Sequence, residues 1–272
     1  MIGALFCALF AAAQGVLLED LTWIEAEKVL RPETVVVIPL GAASKEHGPH
    51  LKLKNDLILA NDLKERVRRR ADVVIAPTIP YSFYPAFVEY PGSTSLTLET
   101  ARDTVVEICR GLSRFGPKRF YVLNTGVSTV RALAPAVEML AADGIVMRYT
   151  DILKALGPTE KAIAKQEGGT HADEIETSMI LYMSPGDVDM GKAVKDYHPG
   201  TGSLTRHEKA EGKVYSPTGV FGDATLATKE KGRLVTEALV GAIVDEIGAL
   251  RTAAIPRAAA PPAAPPDRPP GN

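Results

Sequence analysis

Four short apolar runs, each rich in β-branched or aromatic residues, alternate along this chain with longer segments in which apolar residues recur at helical spacing. The runs cover residues 34–40, 73–76, 120–124 and 145–149. The spacing predicts helices near 56–70, 98–115, 128–143, 171–184 and 227–251. Strands that alternate with helices form a mainly parallel sheet, because the crossover between parallel strands needs a helix. The sequence therefore predicts an α/β fold with three layers, α/β/α.

The two ends of the chain differ in composition from this alternating region. Residues 4–13 are uncharged and end in Ala11-Ala12-Ala13, the small-residue pattern of a signal-peptidase site. We expect residues 1–13 to be a signal peptide, residues 14–253 one domain, and the Ala/Pro-rich residues 254–272 a disordered tail. The protein would then be periplasmic or secreted, whereas an uncleaved anchor or a misread start are the alternatives. Without cleavage it would be cytoplasmic.

Composition narrows the kinds of partner. The chain has 272 residues, 46% of them apolar and 24% charged, which is enough for one large core. The net charge is only −2 and the basic residues are scattered, which argues against nucleic acid or an anionic membrane as a partner. The apolar run at the N-terminus is too short to span a bilayer, so no stable membrane span is expected after processing. A small-molecule substrate remains.

Histidines and carboxylates cluster in two segments. His47, His50 and Asp56 follow the buried strand 34–40, and His171 opens the acidic stretch 171–178. The carboxyl ends of strands are where open α/β sheets build their sites. Imidazoles and carboxylates are the nitrogen and oxygen ligands that divalent metals take in proteins. The two segments together therefore indicate a metal site.

A proline-broken loop follows the second strand and supplies a candidate pocket wall. Prolines interrupt residues 77–91, so neither helix nor strand is expected there. Its aromatic residues are Tyr81, Phe83, Tyr84, Phe87 and Tyr90. Aromatic side chains on an ordered loop are typical of substrate pockets.

Four segments, in the same order along the chain, resemble signatures of the creatininase family of metal-dependent amidohydrolases. They are 46–51 with Asp56, 90–93, 171–178 and 219–228. The first reads Glu-His-Gly-Pro-His-Leu, followed by an aspartate nine residues after the first histidine. The resemblance covers about residues 33 to 250. It implies a creatininase-like α/β/α fold, hydrolysis of an amide and a homo-oligomer, since family members commonly form hexamers.

Several residues depart from the family pattern of a two-metal site. Lys45 stands where the family has its first carboxylate ligand, and Glu46 comes one position late. Neighbouring side chains of an extended segment point to opposite faces, so Glu46 cannot replace that ligand unless the loop is rearranged. Gly126 stands where a histidine ligand is usual, and Ser128 where creatininase has a glutamate. The usual two-metal site therefore cannot be assembled whole.

The residues that match the family imply one metal ion per chain. His47, Asp56 and Glu176 would hold a divalent ion, and zinc, manganese and iron all fit such ligands. Three protein ligands leave positions open for water and substrate, as a catalytic site requires. We expect metal-assisted hydrolysis of a non-peptide carbon–nitrogen bond, an amide in a small, polar, cyclic or N-substituted molecule.

Four further residues are candidates for the chemistry. Glu174 or His171 would accept the proton of the attacking water and return it to the leaving nitrogen. Asn124, at the end of the third strand, would donate a hydrogen bond to the developing oxyanion. Lys45 would replace the charge of the missing metal and polarise a carbonyl oxygen. In a regular helix His171 and Glu174 share a face and Glu176 points elsewhere, so one carboxylate would face solvent or cap the helix.

Each of these residues also has a structural alternative. His47 and Asp56 could be a buried pair that fixes the loop, with Asn55 or Asp56 as the N-cap of the next helix. Lys45 could be a solvated loop lysine, and His50 a loop support or a partner that orients a ligand. At the level of the whole protein, the alternative is a family member that has lost hydrolysis and serves as a ligand-binding or structural protein.

The signal-peptide hypothesis makes a direct prediction. Because the apolar run ends in Ala11-Ala12-Ala13, the mature protein should begin near Gln14 and lie outside the cytoplasm. Intact-mass measurement of the native protein tests this. Retention of Met1 in a soluble cytosolic fraction would refute export.

Overall fold

A parallel five-stranded sheet forms the centre of the protein in the computed structural model, which describes residues 14–259. The strand order is β1-β3-β2-β4-β5, and every pairing within this sheet is parallel. The strands are β1 (Val16–Leu17), β2 (Val35–Leu40), β3 (Val74–Ile75), β4 (Arg119–Asn124) and β5 (Val146–Tyr149). β2 and β4 pair along their whole length, from Val35 opposite Arg119 to Leu40 opposite Asn124. These two strands therefore form the rigid middle of the sheet.

Within residues 14–259, seven α-helices surround the sheet. They are α1 (Trp23–Val29), α2 (Asn55–Arg68), α3 (Leu98–Ser113), α4 (Val130–Ala142), α5 (Ile152–Ile163), α6 (Glu174–Met183) and α7 (Lys229–Arg251). Four short strands complete the structure: β6 (Lys195–Asp196), β7 (Leu204–Thr205), β8 (Val214–Tyr215) and β9 (Gly222–Asp223). No described helix is both long enough and apolar enough to cross a membrane. The predicted signal peptide, 1–13, and the tail beyond residue 259 lie outside the described residues.

Alternation along β2 separates the core into two halves. Val35 and Val37 pack with α2, α5, α6 and α7, while Val36, Ile38 and Leu40 pack on the other face with α3 and α4. Successive side chains of a strand point to opposite faces, and here both faces are apolar. The result is the three-layer α/β/α architecture that the sequence predicts.

The predicted elements are confirmed, apart from their bounds and a few short omissions. The four predicted strands match β2, β3, β4 and β5, and the five predicted helices match α2, α3, α4, α6 and α7. The predicted helix 171–184 begins only at Glu174. Sequence reasoning missed α5, which contains Pro158, and α1, which has only seven residues and buries none of them.

The carboxyl ends of β2 and β4 are the point at which the chain changes direction across the sheet. From β2 the chain runs through α2 to β3 on one side, and from β4 it runs through α4 to β5 on the other. The two loops diverge and leave a crevice between them, which is where open α/β sheets bind ligands. The loop after β2 carries Lys45, Glu46 and His47, so the topology brings the predicted site residues to this crevice.

Helix α6, which carries Glu176, packs closely against α7 through a glycine. Any Cβ on Gly232 would overlap the Ser178 carbonyl group, whereas a Cβ on Gly241 in the same helix would meet nothing within 4 Å. Gly232 is therefore required by the close approach of the two helices.

We expect Gly232→Ala to reduce the free energy of unfolding by about 1–3 kcal/mol, because the helices must separate. Gly241→Ala is the matched control and should raise stability by about 0.5–1 kcal/mol through helix propensity. Urea denaturation followed by circular dichroism measures both. Equal effects of the two substitutions would contradict the packing argument.

Candidate metal centre and active-site cavity

The loop after β2 fixes the orientation of His47. Its Nδ1 lies 2.9 Å from the Lys45 carbonyl oxygen, which can only accept, so Nδ1 donates. Its Nε2 then faces two carboxylates, Asp56 Oδ1 at 2.8 Å and Glu176 Oε1 at 3.4 Å. Gly48 follows with φ +68°, a conformation that turns the chain immediately after the histidine. The Nε2 atom of His47 therefore lies in a negatively charged environment.

His171 reaches the same place from a different element. It lies before α6 and pairs with Phe221 in an isolated antiparallel bridge. Its Nε2 donates to Glu46, 2.9 Å from Oε1 and 3.0 Å from the carbonyl oxygen. Its Nδ1 is left facing Glu176 Oε2 at 3.7 Å. The expectation that His171 and Glu176 diverge on one regular helix is wrong, because the helix starts after His171.

Glu176 is held in place from both sides. Its Oε2 accepts from the Ala172 backbone N–H at 2.7 Å, and its Oε1 accepts from Asn55 Nδ2 at 3.0 Å. Asp173 is the N-cap of α6 and accepts from the N–H groups of residues 175 and 176. Burial raises the pKa of Glu176, but His47 and other neighbouring cations outweigh it, and the pKa lies below its usual range.

Together, His47, His171 and Glu176 offer three ligand atoms that all lie within 4.8 Å of one another. Each histidine already donates its second ring N–H, to the Lys45 carbonyl and to Glu46 respectively. Such partners fix the tautomer of metal-ligating histidines. Of the other two nitrogens, His171 Nδ1 faces Glu176, whereas His47 Nε2 lies 2.8 Å from Asp56 Oδ1, a contact that a metal ion would replace. The donor set of two imidazoles and one carboxylate therefore fits one divalent ion.

Asp56 lies beside this set and links His47 to Lys45. Its Oδ2 is 2.7 Å from Lys45 Nζ, and the two residues are only 1% and 4% exposed. Burial would raise the pKa of Asp56, but the Lys45 ammonium and His47 outweigh it and hold the pKa low. Burial and Lys45 lower the pKa of His47, but Asp56 and Glu176 outweigh them and raise it to about 9. The neighbouring carboxylates therefore favour a positive charge at His47 Nε2.

The buried His47–Asp56 pair expected as the structural alternative is present, but neither Asn55 nor Asp56 is the N-cap of the next helix. Helix α2 starts at Asn55, its N-cap is Lys54, and no side chain caps it. Asp56 instead belongs to the buried ion pair, outside the three-donor set. The solvated-lysine alternative for Lys45 is also wrong, since its side chain is buried.

Two predicted catalytic residues are placed away from the chemistry. Glu174 is completely buried, accepts from the backbone N–H groups of Lys165 and Gln166, and pairs with Lys231. Asn124 donates its two amide hydrogens to the carbonyl oxygens of Gly126 and Thr150, and its own oxygen accepts from the Thr129 hydroxyl. Glu174 is therefore a structural ion-pair residue and Asn124 a loop brace, so neither can serve as the proposed base or oxyanion donor.

His50 connects the loop after β2 to helix α6. Its Nε2 lies 2.8 Å from Thr177 Oγ1 on α6, and burial lowers its pKa to about 4. It is therefore the neutral loop support that was one of its two alternatives.

A cavity of about 240 Å³ is lined by two members of the three-donor set, His171 and Glu176, whereas His47 is buried behind them. Lys45, His171 and Glu176 line its polar end, and apolar residues such as Leu156 and Phe221 line much of the rest. Phe87, from the aromatic loop, packs on His171 with ring centroids 4.2 Å apart and also lines the cavity. The prediction that this loop forms a pocket wall is confirmed for Phe87. The volume suits a small molecule.

Two site residues escaped sequence reasoning. Glu46 was considered only as a substitute ligand, yet it orients His171 from outside the donor set. Asn55 was considered only as a cap, yet it holds Glu176. In the fold, Gly219 leaves room for Glu46: it has φ +82°, and a Cβ there would overlap the Glu46 carboxylate. Only the fold brings these residues together.

Comparisons with known proteins show the family of this chain. The family model for creatininase, described as creatinine amidohydrolase, matches residues 19–247. The chain therefore belongs to the creatininase family of metal-dependent amidohydrolases. It is 28% identical to creatinine amidohydrolase of Pseudomonas putida over 254 residues, covering 86% of this chain and 97% of that protein. It is also 28% identical to a mycofactocin precursor peptide peptidase of Mycolicibacterium smegmatis over 220 residues, covering 78% and 84%.

Solved structures confirm the fold. A structure named "Creatininase Mn" superposes with a TM-score of 0.74 at 25% identity, covering 88% of this chain and 100% of the other. A second, a mutant creatininase of the "Zn-Zn type", gives a TM-score of 0.73 at 25% identity, covering 88% and 100%. The names of these relatives carry manganese and zinc, and the donor set found here suits such a divalent ion.

Asp56→Asn should be far more damaging than loss of a surface carboxylate on the same helix. It leaves the buried Lys45 ammonium without its counter-charge, so we expect a loss of about 3–5 kcal/mol in the free energy of unfolding. Asp62→Asn breaks a partly exposed pair with Arg66, and should cost about 1 kcal/mol or less. Urea denaturation of chelator-treated protein measures both. If the two losses are equal, the buried ion pair does not have the importance assigned to it.

Proposed function

We propose that this protein hydrolyses a carbon–nitrogen amide bond in a small polar molecule, using one divalent metal ion held by His47, His171 and Glu176. The observation that carries the proposal is the three-donor set, of which His171 and Glu176 line a small cavity. This set revises the ligands expected from the sequence, with His171 in place of Asp56. When bound, such a metal lowers the pKa of water towards neutrality and polarises a carbonyl oxygen.

The protein's own residues orient and shield this chemistry. Glu46 fixes the ring of His171, and the Lys45 carbonyl fixes that of His47. Phe87 packs on the ring of His171, and both residues line the cavity. Partners of this kind keep ligands in the geometry that the metal requires. The site is thus supported on every side by contacts that do not themselves touch the metal.

Glu160 is the candidate for proton transfer now that Glu174 is excluded. It lines the same cavity, and burial together with the nearby Asp173 raises its pKa to about 7. A general base works best when its pKa lies near the working pH. Glu160 would accept a proton from the attacking water and return it to the leaving nitrogen.

The substrate class rests on the cavity and the relatives. About 240 Å³ accommodates a small cyclic or N-substituted amide. The relatives include creatinine amidohydrolase, a peptide peptidase and a 3-dehydro-scyllo-inosose hydrolase of Thermotoga maritima, which is 25% identical. A panel of creatinine, other small cyclic amides and short peptides is therefore the appropriate first screen.

A homo-oligomer, a hexamer by resemblance, is part of the same proposal. Trp23 and Ile24 of α1 are 77% and 50% exposed, and large apolar residues on a surface support association. Light scattering of the purified protein measures the assembly.

Matched substitutions on α6 test the metal centre. Glu176→Gln removes a ligand charge, so metal affinity should fall by more than about 100-fold, the upper range for loss of an outer partner. Glu174→Gln, two residues earlier, should lower stability but keep the metal because Glu174 pairs with Lys231 instead. Elemental analysis and calorimetric titration with Mn²⁺ or Zn²⁺ measure the affinity.

The same measurement separates the enzyme from a protein that has lost hydrolysis. About one tightly bound ion per chain in the wild type and turnover of an amide in the screen support the proposal. No metal after metal-replete purification, together with no turnover, would favour a ligand-binding or structural protein, as the changes at Gly126 and Ser128 suggest.

A further inference from the structure

The ammonium of Lys45 is buried and has more N–H donors than partners among the described residues. It has three N–H donors, and among residues 14–259 Asp56 supplies the only carboxylate within ion-pair distance. No hydrogen bond to another described side chain or carbonyl is formed by Nζ. Lys45 also lines the cavity next to His171 and Glu176. The ammonium therefore has unused donors at the lining of the cavity.

Two aromatic rings hold this ammonium in position. Nζ lies 4.7 Å from the centre of the Phe87 ring and 5.5 Å from that of Tyr84. Cations are attracted to the faces of aromatic rings, more strongly when water is excluded. One carboxylate and two aromatic rings therefore surround the Lys45 ammonium, and one of these rings, Phe87, lines the cavity together with Lys45.

Two other positions at which the family has metal ligands, Gly126 and Ser128, also supply none here. A Cβ on Gly126 would lie 3.0 Å from Thr129 Oγ1, so Thr129 would have to shift slightly, and 3.4 Å from Tyr84 Cε1, which is van der Waals contact. Ser128 donates its hydroxyl to the Phe83 carbonyl at 3.1 Å. Both positions at which the family has ligands are therefore occupied by packing and hydrogen bonds of this chain.

Asp56 lies between two positive positions, His47 and Lys45. One of its oxygens faces His47 on the side of the three-donor set, and the other faces Lys45. In two-metal hydrolases, two metal ions about 3.5–4 Å apart together stabilise the attacking and the leaving oxygens. Here a protein ammonium lies where a second cation would share the carboxylate.

We propose that the Lys45 ammonium takes the place of a second metal ion: it excludes that ion and binds the carbonyl oxygen of the amide undergoing hydrolysis. This inference rests on the proposed function of the site. Water attacks the carbonyl carbon, its proton passes to Glu160, and the carbonyl oxygen becomes an oxyanion that accepts from Lys45. The carbon–nitrogen bond then breaks, and Glu160 returns the proton to the nitrogen, giving a carboxylic acid and an amine. Lys45 keeps its protons throughout.

Metal stoichiometry tests the exclusion without any substrate. With excess Mn²⁺, the wild type should bind about one ion per chain, and Lys45→Arg, which keeps the charge, should do the same. Lys45→Glu turns a cation into a carboxylate next to Asp56 and should admit a second ion. Lys54→Glu is the matched control, since Lys54 pairs with Asp187 on the surface, and should stay at one. Two ions in the wild type, or no additional ion in Lys45→Glu, would overturn the inference.

Kinetics test the contact with substrate, using whichever amide the screen identifies. Lys45→Met should lower kcat by about 10²–10³-fold, as loss of an oxyanion donor does, while KM and metal content change little. Lys54→Met should leave both kinetic constants unchanged. An unchanged kcat, or a loss confined to KM, would overturn the inference. If the wild type binds no metal and hydrolyses no amide, the proposed function itself fails; if it does both and Lys45→Met retains full kcat, only the role of Lys45 fails.

Discussion

The buried carboxylate of Asp56 is the interaction on which the arrangement of the site depends. It is 1% exposed and lies between an imidazole and an ammonium, both also buried. Removing charges from water is costly, and such a group is tolerated only when its partners are in place. The carboxylate therefore fixes the loop after β2 against the start of α2, and this fixes His47 relative to α6 and Glu176.

The departures from the family pattern can be understood as one linked change. A carboxylate ligand is replaced by Lys45, and a histidine ligand is replaced by Gly126, whose space is bounded by Tyr84 and Thr129. Loss of a dication alone would leave Asp56 without compensation, and the lysine supplies a positive charge at that position. The donor atoms of His47, His171 and Glu176 lie within 4.8 Å of one another, which suits one divalent ion.

The sequence was informative wherever one residue pattern determines one element. Apolar runs and helical spacing identified β2 to β5 and five helices, and the short motifs identified the family. It was misleading at His171 and Glu174, because a helix boundary three residues later changes which side chains converge. Glu46, Asn55 and the role of Glu174 depend on contacts between residues more than fifty positions apart, which no local pattern specifies.

The central claim is that one metal ion is held by His47, His171 and Glu176 beside a lysine that replaces the second ion. Anomalous diffraction from crystals soaked in zinc tests it most directly. The account predicts a single peak with His47 Nε2, His171 Nδ1 and a Glu176 oxygen at about 2.0–2.2 Å, and Lys45 still paired with Asp56. Two fully occupied peaks about 3.5 Å apart, or one peak bound by Asp56 and not by His171, would contradict it.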